Sequence, residues 1–311
     1  MIEKILRNEV FEKKPPVLID VGASDEINNS WKKLSRYSIC LGFDTNIENN
    51  KNESTNYKKF YLIKSLISDK NREKNFYFTY DKNCSSSLKP ISKNIKDYLF
   101  NKKFKIKKKT KLKYVTLNSV LKTFKIKHVD WFKSDTQGSD LRIFKSLNTS
   151  IKKKTLIAEF EPGFENIYTN EDMVSDVIKY MIKDFFIDTF KVKGDYFFVK
   201  KIKTKFLNKL QNRFFHLFNK KQIIWANITF ANKLKGKFSK RDILLYIVIQ
   251  IIRKNYLIAL KTCDQKKKLI GKEMHDYIVK NIKKKIQNRT FYLFIHLLKI
   301  INKKILKIIK F

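Results

Sequence analysis

The sequence predicts an α/β protein, a doubly wound and mostly parallel sheet followed by a basic helical region. Three observations carry this. Short β-branched runs alternate with stretches of helical spacing as far as residue 235. Acidic residues and a scarce glycine fall where those runs stop, and open α/β sheets bind their ligands beyond the carboxyl ends of the strands. From residue 236 strand punctuation ceases, and apolar clusters alternate with lysines at helical spacing. Two parts are therefore expected, 1–235 and 236–311.

The elements follow in order. Pro15-Pro16 leads into VLIDV (17–21), a run of buried-strand type. A polar loop and a short helical stretch at 31–37 come next. SICLGFD (38–44), FYLIKSLIS (60–68) and NFYFTY (75–80) read as strands, and CSSSLKP (84–90) reads as a loop. NSVLKTFKI (118–126) has helical spacing. HVDWFKSD (128–135) is a strand ending on Asp135, and Gln137-Gly138 is a turn. SDLRIFKSL (139–147) places Leu141, Phe144 and Leu147 on one helical face. TLIAEFEP (155–162) is a strand stopped by Pro162, 171–183 is helical, and FFIDTFKV (185–192) and IIWANITFA (223–231) are the last strands. Trp31 and Trp131 are expected in the core.

Composition bounds the function. Hydrophobic residues make up 43% of the chain, enough for a real core, so wholesale disorder is excluded. The net charge of +40 points to an acidic partner: nucleic acid, an anionic membrane surface or a polyanionic glycan. A coding bias competes with it, since Lys, Asn, Ile and Phe are abundant while Gly (7) and Pro (4) are rare. No RRM, KH or zinc-finger signature supports nucleic acid, which stays as the rival reading, together with RNA methylation. Three widely spaced cysteines suggest neither disulfides nor zinc and suit a reducing cytoplasm. The start lacks a signal-peptide core, and the longest apolar run, ILLYIVIQII (243–252), is too short to span a bilayer. The Lys-rich face of 236–311 would suit peripheral contact with the inner face of an anionic membrane; a helical lid or a dimerisation element is the alternative.

The residues at the strand ends suggest a ligand. Asp20 ends the first strand and Gly22 turns the chain, a place suited to the charged amino-acid portion of a cofactor. Asp44 ends the second strand at a spacing that fits a ribose diol. A nucleoside-bearing cofactor follows, and the missing GxGxxG speaks against a dinucleotide. A turn that merely closes strand to helix is the alternative.

VLIDVGASDEINNSW, LGFDTN, NCSSSLKP, VTLNSVL, DWFKSDTQGSDLRIFKSL and LIAEFEP occur in this order, and together they resemble the FkbM family of S-adenosylmethionine-dependent methyltransferases over roughly residues 15–200. The resemblance implies a Rossmann-like class I methyltransferase fold, with seven strands and one antiparallel edge strand. It also implies methyl transfer to a hydroxyl of a sugar, a polysaccharide precursor or a related small molecule, and a non-catalytic member is the remaining option. Carried over by position, Asp20, Gly22 and Ala23 would line the methionine part of S-adenosylmethionine, Asp44 its ribose, and Ser68 and Asp69 its adenine. Lys133, Asp135 and Gln137 would border the reacting centre. The chain departs from the family at Asp25-Glu26, Asn118 and Asp140.

Transfer to a hydroxyl needs a base. Asp135 is the first candidate, and Glu159 and Glu161 on the next strand are second, Glu161 also as an acceptor-binding group. Ser85 and Ser86 could donate to a sugar or phosphate. Paired carboxylates could instead hold a divalent metal, an option left open but not favoured because no ligand spacing defines it. Asp135 or Ser139 would also cap the following helix. His128 begins its strand, at the wrong edge for chemistry, and Cys84 lacks a partner histidine.

Overall fold

The computed structural model describes residues 1–23, 29–44, 56–195, 208, 210–211 and 220–309. Asp25 and Glu26 lie outside the described residues. The chain divides into two compact units, Pro16–Gly236 and Met1–Pro15 with Lys237–Phe311. Residues 1–15, grouped on sequence with the first part, thus belong with the helical one.

The first unit holds ten described strands: β1 (Val17–Val21), β2 (Ile39–Phe43), β3 (Lys59–Ile63), β4 (Leu66–Ile67), β5 (Arg72–Thr79), β6 (Ile106–Val115), β7 (Trp131–Ser134), β8 (Ile157–Phe160), β9 (Phe185–Asp195) and β10 (Gln222–Asn232). Seven of them form a sheet in the order β3-β2-β1-β7-β8-β10-β9. The neighbours from β3 to β8 are parallel, and β10 runs antiparallel to both β8 and β9. The expected doubly wound sheet is present. Its reversed strand is not at the edge, however, because β9 pairs along the outer side of β10 and becomes the edge itself.

Side chains alternate between the two faces of a strand. Val17, Ile19 and Val21 share one face with Phe132, Ala158, Phe160, Ile228 and Phe230, and helices Leu117–Thr123, Asp140–Ser146 and Val174–Met181 supply Leu121, Phe144 and Val177 to the same core. Each fully buried aliphatic side chain here contributes about 1.5–3 kcal/mol. On the other face one row crosses all seven strands in register: Leu62, Gly42, Asp20, Lys133, Glu159, Thr229, Thr189. Charged side chains thus enter the sheet one residue before the carboxyl ends of β1, β7 and β8. Trp31 and Trp131 are fully buried, in edge-to-face contact at 5.8 Å.

Two strand assignments change. FYLIKSLIS is not one strand: the Ser65 N–H donates to the Ile63 carbonyl at 2.9 Å, a tight turn that sends β4 into a second sheet. That sheet, β4-β6-β5, contains IKKKTKLKYV as β6, which the sequence reading missed under its lysines. Thr110, Leu112 and Tyr114 alternate inward along it, and that period of two was the available signal.

The second unit is helical. Lys240–Ile252 opens on a capping box between Ser239 and Asp242 and is buried from Arg241 to Ile251. Arg241 donates to the carbonyls of Lys14 and Pro15 at 3.1 and 2.9 Å. Lys272–Ile309 follows as a 38-residue helix. Among the described residues no helix is long and apolar enough to cross a membrane.

Candidate functional site

The first turn is closed by the protein itself. Gly22 sits at φ +89°, and a Cβ there would lie 2.1 Å from the carbonyl oxygen of Asp135. Glycine is required because the backbone beyond β7 comes this near. The N–H groups of Gly22 and Ala23 both donate to the Phe43 carbonyl, at 3.0 and 3.1 Å. They are committed to the turn, which leaves the carboxylate of an amino-acid-bearing cofactor to other donors.

The polar row continues from there. Asp20 is fully buried, and Lys133 Nζ donates to its Oδ1 at 2.8 Å. Burial works against the Lys133 ammonium, but Asp20, followed by Asp135 and Glu159, more than offsets it, so its pKa lies above the ordinary value. Lys133 is thus held as a cation beside Asp20. Glu159 Oε1 accepts the Trp131 indole N–H at 2.6 Å. The second-choice base therefore anchors a core ring.

Past the strand ends the acids gather. Asp135 Oδ1 accepts from Gln137 Nε2 at 2.7 Å. Burial and the neighbouring Asp140 push the Asp135 carboxyl up to about 6, against the opposing pull of Lys133 and Gln137. Burial, then Asp135 and Asp140, push Glu161 up to about 8; its Oε1 accepts from Asn227 Nδ2. Asp140 is engaged by the chain itself. Its Oδ1 takes the Ser134 hydroxyl at 2.8 Å, the Thr136 N–H at 2.8 Å and the Thr136 hydroxyl at 2.7 Å, while Oδ2 takes the Glu161 N–H at 3.2 Å. The shortened acid thus ties the ends of β7 and β8 together. Burial raises its pKa in spite of these bonds. Neither Asp135 nor Ser139 caps the helix Asp140–Ser146, since Ser139 occupies the cap position without a side-chain hydrogen bond.

The CSSSL loop buttresses this turn. Ser86 Oγ donates to the Gln137 carbonyl at 2.7 Å and accepts the Leu88 N–H at 3.0 Å. Ser85 Oγ accepts the Thr79 N–H at 3.1 Å. Both hydroxyls hold the chain's own backbone. Burial, with Asp81 next, drives the Cys84 thiol up to about 12, so it is no nucleophile at neutral pH.

Two residues that sequence reasoning missed complete the surroundings. The Tyr168 hydroxyl lies 3.1 Å from Gln137 Oε1 and donates to the Cys84 carbonyl at 2.8 Å. Glu171 Oε2 accepts the N–H groups of Ile167 and Tyr168 at 2.9 and 3.0 Å, and burial pushes its carboxyl up to about 7. One signal was present: a Cβ on Gly163 would lie 2.5 Å from Glu171 Oε1, so another of the scarce glycines marks the place.

The remaining candidates are Asp44, Ser68 and Asp69. Asp44 follows the carboxyl end of β2, half-buried, with its N–H toward the Ile63 carbonyl at 3.4 Å. A carboxylate there fits a ribose diol, to which it offers two acceptor oxygens. Ser68 and Asp69 sit at the β4–β5 turn of the second sheet. Ser68 Oγ and Arg72 Nη2 donate to Asp69 Oδ1 at 2.8 and 3.0 Å. Partial burial opposes the Asp69 charge, but Ser68 and Arg72 outweigh it and hold its pKa below the ordinary value. Among the described residues no three His, Cys, Asp or Glu are grouped to hold a metal ion.

A family model described as "Methyltransferase FkbM domain" matches residues 20–187, more than half of the chain. No curated protein and no solved structure matches it.

Proposed function

This chain belongs to the FkbM methyltransferase family, and on that premise we propose that it transfers a methyl group from S-adenosylmethionine to a hydroxyl of a sugar or polysaccharide precursor. The observation that carries the reading is Asp135, a carboxylate directly beyond β7 whose pKa is pushed up to about 6. An alcohol is a weak nucleophile at neutral pH, and a base titrating just below neutrality is ionised there yet still takes a proton effectively.

Asp44 would hold the ribose of the cofactor, which when bound supplies a methyl group on a positively charged sulfur. The described turn at Gly22 offers little to the amino-acid end, because Lys133 already balances Asp20 and the turn's N–H groups are engaged. Asp135 Oδ1 is oriented by Gln137, and Gln137 in turn by Tyr168 and Ser86. The hydroxyl proton would pass to Asp135 Oδ2. Glu161, with its pKa near 8, holds its own proton at neutral pH and serves as a donor toward the acceptor instead of a second base.

Isothermal titration with S-adenosylmethionine and with its demethylated product tests the donor. Both should bind the full chain, and Asp44→Ala should weaken both about tenfold through the lost charge-assisted hydrogen bonds. Absence of heat with either compound on the unmodified protein would remove the donor and the reading with it.

A further inference from the structure

The same unit carries a concavity at the end of β5. It has a volume of about 770 Å³ and is lined by Tyr80, Asp81, Lys82, Lys102, Lys103 and Lys105. Four ammonium groups face one carboxylate, and that carboxylate already has a partner, since Lys103 Nζ lies 3.3 Å from Asp81 Oδ2. The lysines converge for a backbone reason. The N–H of Tyr80 donates to the Lys105 carbonyl at 3.0 Å and that of Asp81 to the Lys103 carbonyl at 3.1 Å, which clips the end of β5 to the segment before β6.

The concavity is joined to the Asp135 turn by a chain of contacts. Phe104, within the lysine-bearing segment, packs on the Tyr168 ring at 5.8 Å, and the Tyr168 hydroxyl reaches both Gln137 and the Cys84 carbonyl. Cys84 lies two residues after Lys82. Its thiol feels Asp81 and Lys103 from one side and Asp135 from the other. Tyr80 stands at the rim, 70% exposed, an unusual setting for an aromatic ring without a packing role.

Building on the methyl-transfer reading above, we infer that this concavity seats a diphosphate group carried by the methyl acceptor. Lys82, Lys102, Lys103 and Lys105 supply the counter-charge, and Tyr80 offers a flat face to whatever ring adjoins the diphosphate. Phosphoryl oxygens suit converging ammonium donors, and the volume lies in the range of small-molecule sites. A sugar joined to that diphosphate would place its hydroxyls toward Asp135. The same diphosphate chemistry occurs in soluble nucleotide sugars and in lipid-linked glycans, so the ring at Tyr80 is what separates the two.

The test titrates the full chain with inorganic pyrophosphate, uridine diphosphate and farnesyl diphosphate at physiological salt. The protein is compared with a Lys82→Gln/Lys103→Gln/Lys105→Gln variant and with a Lys107→Gln/Lys108→Gln/Lys111→Gln variant on exposed β6, which removes the same charge elsewhere. All six lysines are exposed, so both variants should fold. The first variant should lose affinity for pyrophosphate about tenfold or more, while the second stays within about twofold. Tyr80→Ala should weaken uridine diphosphate and leave farnesyl diphosphate unchanged if the acceptor is a nucleotide sugar; equal affinities for Tyr80→Ala and the unmodified chain would point to the lipid-linked source. Equal losses in the two lysine variants would reduce the effect to net charge and overturn the site, as would pyrophosphate that fails to saturate. S-adenosylmethionine titrated into the same samples keeps the two ideas apart. Diphosphate binding without cofactor binding would sink the methyltransferase reading, and the reverse would sink only the concavity.

Discussion

The two sheets of residues 16–236 treat charge in opposite ways. In the seven-stranded sheet β1 is buried along its whole length, and the charged side chains of its central strands β1, β7 and β8 are matched: Asp20 to Lys133, and Glu159 to the Trp131 indole. In the three-stranded sheet β6 carries five lysines in ten residues, and Lys107, Lys108, Lys109, Lys111 and Lys113 are all exposed. The difference teaches where this protein's chemistry lies. The lysines of β6 are solvated, whereas a handful of buried acids have their pKa values displaced because water cannot screen them.

The largest expected effect lies on the buried side. Asp135→Asn should lower kcat about 10²- to 10⁴-fold while cofactor affinity and melting temperature stay unchanged, the usual loss for a general base. Activity retained within about tenfold would move the base elsewhere, with Glu161 next to examine. Gly22→Ala comes second. A Cβ there meets the Asp135 carbonyl at 2.1 Å in a left-handed conformation, so unfolding stability should fall by about 3 kcal/mol, read from the denaturation midpoint. A midpoint near that of the unmodified protein would show that the turn can open without cost.

Glu161→Gln has a smaller effect and a defined sign. The folded protein keeps the Glu161 proton up to about pH 8, against an ordinary value of 4.5. The native state therefore binds more protons than the unfolded chain between those values, and this group makes stability fall as pH rises across that window. The amide cannot ionise and retains an oxygen for Asn227. Melting curves of the two proteins should lie close together at pH 5 and separate in favour of Glu161→Gln by pH 8.5; parallel curves would mean Glu161 is not buried among acids. Lys111→Gln marks the other end of the scale. It should change stability by no more than about 0.5 kcal/mol, and a clear loss would mean the exposed sheet depends on its charges after all.

Much of the first unit was legible in the chain. VLIDV, HVDWFKSD and TLIAEFEP announce β1, β7 and β8 through β-branched and aromatic residues bounded by turns, and Asp135, Glu159 and Glu161 sit at their ends because a strand has only one carboxyl end. β6 escaped because lysine is a poor strand marker and dominates its outward positions. Ser68 and Asp69 were assigned to the end of a third strand that in fact stops at Ile63.

By itself the sequence determined what is local: the period of each segment, the turn at Gly22, the acids at the strand ends and the helical character of the last part. The tertiary structure alone decided which acid is engaged and which is poised. Asp20 and Lys133 are 113 residues apart and meet only through the register of β1 against β7. Glu159 accepts from the indole of Trp131, two residues before its register partner Lys133, while Glu161, two residues on, joins Asp135. The physical reason is that a proton's affinity depends on burial and on the charges around it, and both are set by contacts between segments far apart in the chain.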